Sequence, residues 1–152
     1  MKRLLVLVLI VAGAWGLQQF RTDAAPGAAP DGFAPADARA AVDDRALLAA
    51  IDARESGVQV GGAGHVARVL ADDDRGSRHQ RFILEIDPGR TLLVAHNIDL
   101  APRIARLQAG DRVEFFGEYE WNDRGGVIHW THHDPAGRHV DGWLRHDGRT
   151  YR

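Results

Sequence analysis

Apolar and polar positions along the chain change period several times, and each change marks a different kind of segment. From Leu4 to Leu17 the residues are almost all apolar, with no polar face. Residues 24–36, AAPGAAPDGFAPA, have no hydrophobic period at all and read as a flexible linker over 25–36. From Asp37 the spacing turns helical: Asp37 is placed to cap, Val42, Leu47, Leu48 and Ile51 share one stripe, and Gly57 supplies the stop. This predicts a packing helix over 37–56.

Beyond Gly57 the pattern alternates. Five β-like runs are predicted, Val58–Leu70, Arg81–Asp87, Thr91–His96, Asp111–Trp121 and Val127–His133, with turn signals such as Asp87-Pro88-Gly89 between them. Between the third and fourth, Ile98–Gln108 reads as a helix, with Asp99 as cap, Pro102 in the first turn and Gly110 at the end. The fold class expected is therefore mainly β (α+β): a small OB-type five-stranded barrel over 58–134, with one helix between strands 3 and 4 and an N-terminal packing helix. Gly61, Gly62 and Gly64 in the first run suit the bend by which one strand serves both sides of a small barrel. An extension over 135–152 ends in a hairpin turned at Asp147-Gly148, and residues 37–152 are expected to form one domain.

The faces of the last barrel hairpin follow from alternation. Val113, Phe115, Tyr119 and Trp121 make a core face against Arg112, Glu114, Glu118 and Glu120. With Asp123–Gly126 as the loop, Trp121 falls opposite Ile128, Tyr119 opposite Trp130 and Glu120 opposite His129, with Glu118 diagonal to His129. Glu118, Glu120 and His129 then form a polar cluster on the outer face.

The first residues add a destination. Met1-Lys2-Arg3 followed by Leu4–Leu17 has the basic and apolar regions of a secretory signal. Fourteen helical residues reach roughly 21 Å, short of a hydrocarbon core of about 30 Å, which favours cleavage over a span, with small-residue sites at Ala12-Gly13-Ala14 and at the stretch ending in Ala24-Ala25. The alternative is an uncleaved N-terminal anchor, with membrane contact only through residues 4–20. The chain has no cysteine, which excludes disulfides and thiolate chemistry. Beyond residue 23 it keeps sixteen cations, all arginine, against twenty carboxylates, a balance that argues against non-specific nucleic-acid binding at neutral pH.

The stretches DDDRGSRHQRFIL, AHNIDLAPRIARL, GEYEWN, GGVIHWTHHDP and GWLRHDG resemble a family of small exported bacterial proteins known as domain of unknown function 3465. The resemblance covers about residues 58–152. It implies export and a shared small β-rich fold, and it carries no reaction, ligand or catalytic residue. Export implies a periplasmic or secreted protein or, with the anchor retained, one held in the inner membrane and facing the periplasm.

Three constellations are candidates for chemistry. The loop around Arg78, His79 and Arg81, with His96 on the adjoining face, could hold a small anionic ligand or a glycan, and Trp143 could offer an exposed stacking platform. Histidines are dense over 129–139, where a divalent metal would support a hydrolase, with phosphodiesters among its substrates. Zinc ligands must lie within about 2–2.3 Å of the ion, while His129 and His133 on an extended strand lie roughly 13 Å apart. A metal site is therefore expected past the strand end, at His132, Asp134 and His139. Catalytic triads and phosphate loops find no support: Ser56 and Ser77 are the only serines, and the glycines at 61–64 lie within a strand. A binding module is the leading expectation, ahead of the metal-dependent hydrolase.

Overall fold

The structure is a computed structural model that describes residues 43–152. The expected export segment over 1–24, the linker over 25–36 and the helix start at Asp37 lie outside the described residues. The helix appears as α1, Arg45–Ala53. Leu47 and Ala50 are buried and Ile51 packs against the core, so Leu47 and Ile51 of the predicted stripe face the barrel, while Val42 lies outside the described residues. Arg54 ends the helix in a left-handed conformation, its amide reaching back to the Ala50 and Ile51 carbonyls.

Seven strands follow: β1 Val58–Val69, β2 His79–Asp87, β3 Arg90–Asn97, β4 Arg112–Glu120, β5 Val127–His129, β6 Trp143–His146 and β7 Arg149–Tyr151. They pair in the order β1-β2-β3-β5-β4-β6-β7, and an additional β1–β4 pairing closes the first five into a barrel. Every barrel pairing is antiparallel except β3–β5. β1 closes the barrel by dividing its length: Val58–His65 pairs with β4 and His65–Val69 with β2. The glycines permit this. A side chain at Gly64 would strike the Glu85 carbonyl and Leu84, and one at Gly62 the Phe115 ring. The predicted C-terminal hairpin forms as β6–β7, with Asp147 and Gly148 both at positive φ. β6 also pairs with β4 and lengthens the sheet.

Alternation along each strand sends one face inward. Phe82, Leu84, Leu92, Val94, Phe115, Tyr119 and Ile128 fill the barrel, with Leu47 and Ile104 closing over them.

The helix expected over 98–108 does not form. Residues 98–111 make successive turns, because the groups that would close a helical ladder are bonded elsewhere. Ile104 donates its amide to Gln80 Oε1 at 2.9 Å and accepts from Gln80 Nε2 at 3.0 Å. The Gln108 amide goes to Asp111 Oδ2, and the Pro102 carbonyl lies 3.2 Å from His96 Nε2. A buried glutamine on the inward phase of β2 thus stands in for a turn of helix.

The β4–β5 register also differs from expectation. Glu118 lies opposite His129, Tyr119 opposite Ile128 and Glu120 opposite Val127, a slip of two residues. An even slip keeps every side chain on its face. Asn122 explains the longer loop: its side-chain oxygen accepts the amides of Arg124 and Gly126. The two tryptophans predicted as core partners consequently leave the core. Trp121 sits half-buried at its edge beneath the Arg54 guanidinium, and Trp130 breaks the strand with φ 51°.

Candidate functional site

The sequence-predicted anion site does not assemble. Arg78 Nε bonds Asp99 Oδ1 at 2.7 Å while its amide takes Oδ2, and Arg81 Nε donates to the Ala71 carbonyl. Both arginines are therefore engaged within the protein. His96 is fully buried. Its Nε2 faces the Pro102 carbonyl, so this nitrogen carries the hydrogen and Nδ1 accepts from Thr131 Oγ1 at 2.8 Å. Burial holds its pKa at about 4, so near neutrality it carries no charge for an anion. Trp143 is no platform either: it is 6% exposed, stacked on Phe116 at 6.5 Å, with the Arg145 guanidinium over its ring.

The expected metal set fares similarly. The Asp134 carboxylate caps its own loop, accepting the amides of Ala136, Arg138 and His139. These bonds, that of Ala136 foremost, hold its pKa at about 2. His132 turns Nδ1 to the His133 carbonyl at 2.7 Å. His139 folds the other way, face to face with Trp130, with ring centroids 3.6 Å apart. These three side chains serve separate local roles and do not converge.

What the structure does gather lies on the outer face of β4 and β5. Glu118 Oε1 is 3.5 Å and Glu120 Oε1 3.9 Å from His129 Nε2. Among the described residues, Glu118, Glu120 and His129 are a set of potential metal ligands whose ligand atoms all lie within 4.8 Å of one another. His139 approaches from beyond the strand end, its Nδ1 3.6 Å from Glu118 Oε2. The expectation placed a metal set past the strand end, whereas this set of possible ligands lies along the strands. It paired histidine only with histidine, whereas the cross-strand register supplies carboxylates.

Beside this cluster is a cleft of about 330 Å³ lined by Ser77, His79, Ala95, Asn97, Leu100, His129, Trp130 and His132. His79 Nδ1 bonds the Ser77 carbonyl at 2.8 Å, as His132 Nδ1 bonds that of His133. A carbonyl only accepts, so Nδ1 carries the hydrogen in both rings and Nε2 is left as the free nitrogen. The positive φ of Trp130 lets the chain turn from β5 toward the rim of this cleft. Gly142 supports that turn, since a side chain there would collide with the Trp130 carbonyl. Of these residues only His79 was predicted as a ligand-site residue for this region. Asn97, Leu100 and Trp130 join it through loop geometry that alternation does not encode.

No curated protein and no solved structure matches the chain. A family model described as "Protein of unknown function (DUF3465)" matches residues 33–152, a span that takes in α1, the closed barrel and the C-terminal hairpin. The chain belongs to the DUF3465 family.

Proposed function

We propose that this protein is an exported binding module of the OB type that takes a small hydroxylated ligand, a glycan fragment, into the cleft beside Trp130. Export rests on the signal-like pattern of Met1–Leu17. The OB reading is supported by the strand order, by the parallel β3–β5 pair that closes the barrel, and by the position of the cleft. In OB barrels the loop joining the first two strands and the face of strands two and three line the ligand groove. Here Ser77 and His79 come from that loop and the start of β2, and Ala95 and Asn97 from β3.

The lining of the cleft is the observation that carries the choice of ligand. Arg78 and Arg81 turn to Asp99 and the Ala71 carbonyl, and no guanidinium lines this cleft. Imidazole nitrogens, the Asn97 amide, the Ser77 hydroxyl and an indole ring suit the hydroxyls and the flat face of a sugar. A volume near 330 Å³ is at the lower end for ligand sites, the size for one or two sugar units.

Isothermal calorimetry of the full chain with neutral and acidic mono- and disaccharides, and with inorganic phosphate, tests this. Saturable binding of a saccharide is expected. Trp130→Ala should weaken it about tenfold, the scale of one lost aromatic stack, and His79→Ala should weaken it too. Binding of phosphate alone, or affinity indifferent to both substitutions, would discard the proposal.

A further inference from the structure

We infer that Glu118, Glu120 and His129 form a binding site for one first-row divalent transition-metal ion, with His139 as a positioning residue behind Glu118.

The strand pairing makes the site. β4 places Glu118 and Glu120 two residues apart on one face, and β5 sets His129 directly opposite Glu118. All three side chains are therefore held on a paired sheet and not on loops. Ligand atoms about 2.0–2.2 Å from a tetrahedral ion lie roughly 3.3–3.6 Å from one another. The observed spacings of 3.5 and 3.9 Å to His129 Nε2, inside a set spanning at most 4.8 Å, need a contraction of at most about 1.5 Å to reach that geometry.

A second observation points to a ligand. His129 Nε2 is shielded from solvent and has no hydrogen-bond partner, although two carboxylates face it. A shielded polar atom left in that state is unfavourable, having lost water without gaining a partner. A cation between imidazole and carboxylates satisfies all three groups at once.

His139 completes the arrangement as an outer-shell group. Its ring is clamped on Trp130 at 16° between planes, and Nδ1 faces the Glu118 oxygen that His129 does not use. An imidazole behind a ligating carboxylate fixes its rotamer. Two carboxylates and one imidazole suit zinc, manganese or iron(II) better than the soft, sulfur-seeking ions. Three protein ligands also leave coordination positions open.

The test is titration of the untagged, chelator-stripped full chain with Co²⁺, read by its visible d–d absorption, followed by competition with Zn²⁺. One equivalent is expected to bind. Glu118→Gln with Glu120→Gln, and separately His129→Ala, should abolish the complex while leaving the circular-dichroism melt of the metal-free protein in place. His139→Ala should weaken it about 10–100-fold. His65→Ala with His133→Ala, two exposed histidines outside the cluster, should leave it intact. Long-range ¹H–¹⁵N spectra of the wild-type chain, which require no variant to fold, should show the His129 Nε2 resonance shifting on addition of Zn²⁺. No stoichiometric complex, a complex that survives loss of His129, or a zinc-induced shift confined to other histidines would overturn the inference. Saccharide binding plays no part in this assay, so failure of the glycan reading leaves its outcome unchanged.

Discussion

Gln80→Ala is expected to lower the unfolding free energy by about 2–6 kcal/mol, the larger of the two strongest effects predicted for this fold. Gln80 is almost fully buried on the inward phase of β2, and its amide group holds both the N–H and the carbonyl of Ile104. Truncation strands two buried backbone groups, at about 1–3 kcal/mol each, and opens a space next to Phe82 and Leu84. The loss should be local in origin. Amide exchange at Ile104 and across 98–108 should accelerate before the barrel strands respond, because those turns have no helical ladder to fall back on. Urea unfolding with hydrogen exchange measures both effects. A loss under about 1 kcal/mol would mean that this segment satisfies its backbone without Gln80.

Acidification from pH 6.5 to 4 should cost about 3 kcal/mol of stability through His96 alone. Its pKa falls from 6.5 to about 4 on folding because burial disfavours the imidazolium. In that window the unfolded chain binds the proton and the folded chain does not, so stability rises with pH and is lost as pH falls. The gap between the two values corresponds to roughly 3 kcal/mol. The loss is complete below pH 4, where both states are protonated. Asp134, lowered from 3.8 to about 2 by loop amides, acts in a separate window: its contribution disappears between those two values. Urea midpoints measured from pH 7 to pH 4 should fall steeply in the wild-type chain and much less in His96→Gln, whose amide can still meet Thr131 or Pro102. Equal slopes in the two proteins would show that His96 is not the group responsible.

His96 and Gln80 illustrate where the sequence is legible and where it is not. Both occupy inward positions of otherwise apolar alternation, Gln80 with Phe82 and Leu84, His96 with Leu92 and Val94. A polar residue in that phase signals a buried hydrogen bond, but its partner lies 24 residues away in one case and 35 in the other. Hairpin faces survive even a misjudged turn, since the period of a strand is two. That is why Glu118, Glu120 and His129 were expected together although the register is shifted by two residues. Trp130 and Trp143 were misplaced for a complementary reason. Exposure depends on what lies across the sheet: Phe116 covers Trp143, and a single left-handed residue carries Trp130 off its strand.

By itself the sequence determined the alternation that makes a closed five-stranded barrel, the glycine bend of β1, the Asp147-Gly148 hairpin and a Glu–His face on β4 and β5. These follow from local sterics and from the need to bury one side of each strand. Tertiary structure alone decided that residues 98–111 are turns and that Asp134 serves its own loop. It also decided that His139 folds back to Glu118, and that the cleft draws on residues from 77 to 132. Each of these depends on which distant donor or acceptor reaches a backbone group first, and residue spacing along a chain does not carry that information.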